Sequence, residues 1–354
     1  MTDPQGTATR SDSSFRIVTG YHFEKGKHFL HAKAALFLEY QRYDDPAFLI
    51  SAGYPVKTYA GDLEWRHPIA KKINLAAGIS MSYAKASFKE YGNQVQTRSL
   101  ASIWTAIIFK PINHLKVQAD LRQEFVFRPS PPLTPKLGLE LELLKNSLTL
   151  HGSIGRNYHI PSMNDLFWVP GGNRNLKPED AISYEAGIRS GDQMKSPLKF
   201  DFTFFYSNTS NWIRWNPSSG GLYSPDNLRR VQSKGGEISL HYHVAGAKYQ
   251  LDTDAEFTFV TSRLTESETI SEAALVGKQL MYQPGHMASG RITYSRNKYN
   301  VSINHHFTGS VFITADNTNW LDSYLLADLH VQKEMNIGRS EEHTSELQSH
   351  SFIS

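Results

Sequence analysis

No cysteine occurs among the 354 residues, which excludes disulfides, thiolate metal sites and thiol catalysis. The absence suits an oxidising compartment without requiring one. No apolar run reaches the roughly 18 residues of a membrane-spanning helix. The opening MTDPQGTATRSDSS is polar and lacks the apolar centre of a secretory signal. Neither charge sign dominates: 37 Lys and Arg face 34 Asp and Glu, a net +3, too small and too scattered to point to nucleic acid. No repeat of propeller length recurs. GxSxG, HExxH and phosphate-loop motifs are missing too, so the sequence offers no catalytic residue, no cofactor and no metal set.

What is present is alternation. Aromatic residues make up 12% of the chain, with 17 Tyr and 19 Phe, in a sequence that is polar on average. In KFDFTFFYSN, Phe200, Phe202, Phe204 and Tyr206 share one face, while Lys199, Asp201 and Thr203 take the other. In YQLDTDAEFTF, Tyr249, Leu251, Phe257 and Phe259 oppose Asp252, Asp254 and Glu256. Such runs exceed the roughly 5–6 residues of ordinary strands and meet the roughly 9–11 that a tilted strand needs to cross a bilayer.

Short and long connectors take turns. The short ones are EKGK at Glu24, WRHPIAKK around His67, KPIN at Lys110, KN at Lys145, AGAK at Ala245 and NK at Asn297. Between them come long polar segments, among them RYDDPAFLISAGYP after Gln41, ASFKEYGNQ after Lys85, RPSPPLTP after Phe127 and TSNWIRWNPSSGGLYSPDNLRRVQSKG. This pattern implies about fifteen antiparallel strands with short turns at one end and long loops at the other, the asymmetry of an outer-membrane β-barrel. A soluble all-β binding module remains the alternative on pattern alone.

HIPSMNDLFWVPGGNRNLKPEDAISYEAGI, from His159 to Ile188, carries the most specific signal. Pro161, Ser162, Asn164, Asp165, Leu166 and Phe167 are followed by Gly172, Asn173, Asn175, Leu176, Lys177, Pro178, Glu179, Tyr184 and Glu185. Together with NWIRW at Asn211, SPDNLRRVQSKGGEISL around Asn227, GKQLMYQPGH at Gly277 and LDSYLLADLHV at Leu321, this succession resembles the TonB-dependent receptors, the plugged outer-membrane transporters. Its flavour is that of Bacteroidetes-type receptors. Pro178 marks a strand start because it cannot donate to a ladder. Leu166, Phe167, Trp168 and Val169 are expected either to anchor the loop inward or to sit at the lipid interface.

The resemblance implies an all-β, antiparallel transmembrane barrel of about 22 strands around a plug. Residues 1–338 then form a partial barrel, with about five strands and the plug expected before Met1 and two strands after. Residues 339–354 stand apart, since RSEEHTSELQSH resembles one reading frame of a common sequencing adapter. The implied function is uptake of a scarce nutrient, an iron–siderophore, cobalamin or a similar molecule, with a passive porin as the alternative. The implied partners are the TonB energy-transducing protein acting through the plug, the small nutrient, and outer-membrane lipid. NWIRW and SPDN lean toward cobalamin-like or siderophore ligands.

Candidate ligand-loop residues are Trp212, Arg214, Trp215 and Tyr223, where an aromatic beside Arg could stack on and pair with a ligand, or else form the interfacial aromatic girdle. Asp252, Asp254 and Glu256 are expected to line a wet lumen. His241 with His243, and His305 with His306, lack a third ligand at useful spacing for metal.

Overall fold

Alternation along the chain becomes a long meander of strands. The computed structural model describes residues 8–126, 131–145, 147–190, 196–217, 222–267, 270–335 and 348–353. Its strands are β1 (Thr9–Lys25), β2 (His28–Asp45), β3 (Ile50–Ala70), β4 (Ile73–Ser87), β5 (Val95–Ile112), β6 (Leu115–Val126), β7 (Thr134–Leu144), β8 (Leu148–His159), β9 (Glu179–Ser190), β10 (Leu198–Pro217), β11 (Tyr223–Ala245), β12 (Tyr249–Glu266), β13 (His286–Arg296), β14 (Tyr299–Thr308), β15 (Val311–Phe312), β16 (Trp320–Leu321), β17 (Tyr324–Lys333) and β18 (Gln348–Ile353). Two short helices, α1 (Met163–Phe167) and α2 (Ile270–Ala273), lie in connectors.

Sixteen strands form one sheet in chain order, β1 through β14 and then β17 and β18, while β15 pairs with β16. Every pairing is antiparallel, and among the described residues β1 and β18 each have one neighbour. Fifteen of the sixteen precede residue 339, the count implied by the connectors. The sixteenth lies in the C-terminal segment that the sequence sets apart; residues 336–347 and 354 lie outside the described residues.

The short turns are local chemistry. Gly26–Lys27 joins β1 to β2, Lys71–Lys72 joins β3 to β4, and Asn297–Lys298 joins β13 to β14. Gly26 at φ 63° and Asn297 at φ 53° supply the positive φ that tight hairpins require.

The sheet's two faces differ as the alternation demands. Leu63, Ile79 and Ile103 stand side by side across β3, β4 and β5, and Ile292, Ile303 and Leu329 do so across β13, β14 and β17. All six are exposed; Phe204 on β10 is 64% exposed. An apolar face left bare over this many strands is a lipid-facing surface. The opposite face is polar. His241 Nδ1 lies 2.7 Å from Asp254 Oδ1 and His243 Nδ1 lies 2.5 Å from Asp252 Oδ1. Arg291 Nε donates to Asn304 Oδ1 at 2.8 Å.

A sheet that is wet on one side and lipid-covered on the other has no conventional core at mid-height. The buried apolar cluster sits instead at the long-loop end. Leu228 and Val231 of β11 and Leu264 of β12 meet Leu280 of the following loop, with Trp212 and Leu275 against them.

The long-loop end corrects two expectations. The segment after Gln41 is not a long loop: β2 continues to Asp45 and β3 starts at Ile50, joined by a single 3-10 turn at Pro46–Phe48 that Asp45 caps. The segment containing NWIRW and SPDN is likewise strand, the upper parts of β10 and β11. Both departures have one physical reason. Above the lipid band both faces are wet, so polar composition no longer separates strand from loop. Residues 127–130, 218–221 and 268–269 of the expected loops lie outside the described residues.

Candidate functional site

The signature segment forms a folded bracket on the long-loop rim. Ser162 caps α1: its Oγ accepts from Asp165 N at 3.1 Å, and Asp165 Oδ2 accepts from Ser162 N at 2.7 Å, a reciprocal capping box. Asp165 is 8% exposed, and its second oxygen accepts from Trp215 Nε1 at 2.8 Å. Its backbone carbonyl accepts from Asn173 N at 2.7 Å. One buried aspartate thus joins the helix start and the tall β10 strand through its carboxylate, and the glycine turn through its backbone carbonyl.

The bracket is also tied to the β4–β5 connector and to the start of β5. Tyr91 Oη donates to Asn164 Oδ1 at 2.6 Å, and Arg98 Nη2 donates to Pro161 O at 2.7 Å. Val169 N donates to Glu90 O at 2.6 Å. Tyr54, Phe88, Tyr91 and Phe167 follow in ring contact, with centroids 5.1, 4.6 and 6.2 Å apart. The Arg174 guanidinium lies 5.3 Å above the Phe167 ring. Burial pushes the Tyr91 phenol up to about 12.

The second half is stitched to β10 and β11. Gly171 has no room for a side chain: a Cβ there would collide with the Tyr223 carbonyl oxygen. Gly172 is similarly tight against Trp168. Asn173 Nδ2 donates to Pro225 O at 3.1 Å while its Oδ1 accepts from Asn175 N at 3.0 Å. Leu176 is buried. Asn227 Oδ1 accepts from Lys177 N at 2.8 Å, and its amide donates to Lys177 O at 3.1 Å and Asn211 O at 2.7 Å. Pro178 precedes β9 and its carbonyl accepts from Asn211 Nδ2 at 3.4 Å. Glu179 Oε1 accepts from Ile213 N at 2.7 Å. The structure therefore brings Pro161, Asn164, Asp165, Leu166, Phe167, Gly172, Asn173, Asn175, Leu176, Pro178 and Glu179 into one bracket.

The four candidate ligand-loop residues are placed differently from one another, and all stand on strands. Trp212 packs on the buried leucine cluster. Arg214 Nη2 lies 3.9 Å from Glu272 Oε1, both side chains largely buried. Trp215 is engaged by Asp165. Tyr223 is 58% exposed.

Beneath the bracket, on the polar side of the sheet, lies a groove of about 760 Å³ lined by Arg10, Arg16, Glu39, Tyr54, Asn164 and Trp168 among others. Arg16 Nη2 pairs with Glu39 Oε1 at 2.7 Å, and Arg10 Nε with Asp12 Oδ2 at 2.9 Å. Trp168 and Asn164 thus look onto the wet face, while Val169 is 56% exposed. Along the rim, Asn317 exchanges hydrogen bonds with the Gln279 backbone at 2.8 and 2.9 Å, tying the last two loops together. Hydrogen bonds from Thr314 and Thr318 hold the Asp316 carboxyl below the usual carboxylate range. Among the described residues no group of three His, Asp or Glu is placed to hold a metal ion.

Sequence reasoning missed Tyr91, Glu90 and Arg98. KEYGNQ does signal a turn, with Gly92 at φ 67°, but nothing in it names a partner 73 residues away.

Residues 4–340 match the family described as TonB dependent receptor-like, beta-barrel. The vitamin B12 transporter BtuB of Photobacterium profundum is 21% identical over 286 residues, covering 79% of this chain and 44% of its own. Its counterpart from Vibrio vulnificus is 30% identical over 103 residues, 29% of this chain and 16% of its own. A mutant of the ferric enterobactin receptor PfeA of Pseudomonas aeruginosa superposes with TM-score 0.72 at 14% identity, over 93% of this chain and 55% of that one. The FrpB iron transporter of Neisseria meningitidis (F3-3 variant) gives 0.68 at 11%, over 92% and 56%. The chain spans less than half the length of these curated relatives.

Proposed function

The chain belongs to the TonB-dependent receptor-like β-barrel family, whose barrels sit in the outer membrane, and on that premise we propose that it is wall of an importer for a scarce nutrient. Residues 1–338 supply barrel strands, and a plug and further strands complete the transporter. The ligand enters from the long-loop end, which faces outward in such barrels. TonB draws on the plug once ligand biases it, so ligand must bind the plug's two states unequally.

The observation that carries this reading is the groove of about 760 Å³ on the polar face under the bracket, where Trp168 offers a stacking surface beside arginines and carboxylates. Cobalamin or an iron–siderophore is the substrate class, supported by the relatives described as vitamin B12 transporters and by the fold shared with a ferric enterobactin receptor. Tyr223 is the candidate first contact, because its side chain is exposed above the rim. Trp212, Arg214 and Trp215 serve by holding that rim.

The test is ligand binding to the receptor extracted from outer membranes, followed by tryptophan fluorescence with cyanocobalamin and with a ferric catecholate. One of the two quenches the signal, and Trp168→Phe removes most of the quench while the barrel still shows heat-modifiable migration. Quenching by neither ligand, or quenching indifferent to Trp168→Phe, refutes the assignment of the groove.

A further inference from the structure

The lipid-facing side carries a depression of about 640 Å³, lined by Tyr59, Gly61, Met81, Tyr83, Ala101 and Phe125 among others. The register explains it. Gly61, Met81, Ala101 and Phe125 stand in one row across β3, β4, β5 and β6, so small residues alternate with large ones and leave a trough over Gly61 and Ala101 beside Met81 and Phe125. One step toward the long-loop end, Tyr59 and Tyr83 face each other with ring centroids 6.4 Å apart. One step further, Lys57 stands directly opposite Lys85.

That last pairing is unusual. Like charges directly opposite on adjacent strands repel, and both lysines are exposed on the apolar side of the sheet. Among the described residues lysine forms an ion pair at Lys116 with Glu140; Lys57 and Lys85 form none. Directly opposite residues have their Cβ atoms about 5 Å apart, so the two lysine side chains can reach one phosphate. They stand above an aromatic pair, the kind of side chain that gathers at headgroup level, and four residues, about 13 Å, above an apolar trough. Charge, rings and trough follow in the order of a phosphorylated lipid: anion, sugar or glycerol, acyl chain.

We propose that Lys57, Lys85, Tyr59, Tyr83 and the Gly61–Phe125 trough form a binding site for a phosphorylated glycolipid of the outer leaflet. The phosphate bridges the two ammonium groups and relieves their repulsion. A sugar rests on Tyr59 and Tyr83, and one acyl chain fills the trough over Gly61 and Ala101. The glycolipid is favoured over a glycerophospholipid because the lysines lie at the long-loop end, the outward side. The site is on the lipid face, opposite the nutrient groove.

The experiment uses the receptor extracted from outer membranes and passed through extensive detergent exchange, with retained lipid identified by mass and rebinding measured with purified lipid A. The native protein retains the phosphorylated glycolipid. Lys57→Gln with Lys85→Gln weakens lipid A binding by about fivefold for each lysine removed, the weight a cation carries at a charged membrane surface. The double change to Arg keeps binding. Ala101→Phe, which fills the trough and alters no charge, also weakens it, with heat-modifiable migration unchanged in each variant. Lys333→Gln, at the opposite rim, leaves binding as it was. The proposal is overturned if the Gln pair binds lipid A like the native protein, if the retained lipid is phosphatidylglycerol, or if the pair's loss is confined to an acidic protein partner.

Discussion

At the short-turn end, two residues suffice to join β1 to β2, β3 to β4 and β13 to β14, and exposed lysines crowd there, with Lys25, Lys27, Lys71, Lys145, Lys248 and Lys298 in or beside the turns. At the long-loop end, residues far apart in sequence are locked together: Tyr91 with Asn164, Arg98 with Pro161, Asp165 with Trp215, Asn227 with Lys177. The first end is closed by local backbone chemistry that each hairpin completes alone. The second is closed by long-range side-chain bonds that exist only after the wall is assembled. An importer of the kind proposed above needs this inequality. The end proposed to meet the ligand must hold a shape, and it does so without a mid-barrel core to lean on.

The rim loses most when Asp165 is replaced. Asp165→Ala removes the capping box and leaves the Trp215 N–H without its acceptor, costing about 3 kcal/mol of rim stability. Amide exchange across residues 160–178 should accelerate accordingly, while the β13–β14 turn stays as slow as before; equal acceleration at both ends would sink the contrast. Asn227→Ala comes next, losing three hydrogen bonds to the Lys177 and Asn211 backbone for about 2 kcal/mol, readable as new protease cleavage before β9.

Tyr91→Phe is milder, about 1 kcal/mol for one hydroxyl donor, and it carries a pH signature. The buried phenol titrates above its unfolded value of 10.0, at about 12. Its share of stability is therefore complete below pH 10 and is lost as pH rises toward 12. An alkaline melt should show the native rim loosening in that window and the Phe variant lacking that component. Smallest of all is Lys27→Gln at the short-turn end, expected within about 0.5 kcal/mol and invisible in rim exchange.

Much of this wall was legible because period-two alternation is a direct image of a sheet with two unlike solvents. Phe200, Phe202 and Phe204 opposite Lys199, Asp201 and Thr203 needed no partner to be read. The short turns were legible for the same local reason, with Gly26 and Asn297 marking them. Above the lipid the code degrades, and Trp212, Arg214 and Trp215 looked like loop residues although they continue β10. Their partners were illegible outright. Glu272 for Arg214 and Asp165 for Trp215 are 58 and 50 residues distant, brought near by a register that hairpin geometry fixes and composition does not.

The wall is also uneven. β11 runs 23 residues and β10 runs 20, whereas β14 and β17 have 10 each. At roughly 3.3 Å per residue, the thirteen-residue difference between β11 and β14 is about 40 Å measured along the strand. β2 and β3, at 18 and 21 residues, are long as well, so among the described residues the mouth has two high stretches, β2–β3 and β10–β11, the second carrying the exposed Tyr223. A molecule that touches either stretch along its inner side no longer searches a volume; it searches a surface.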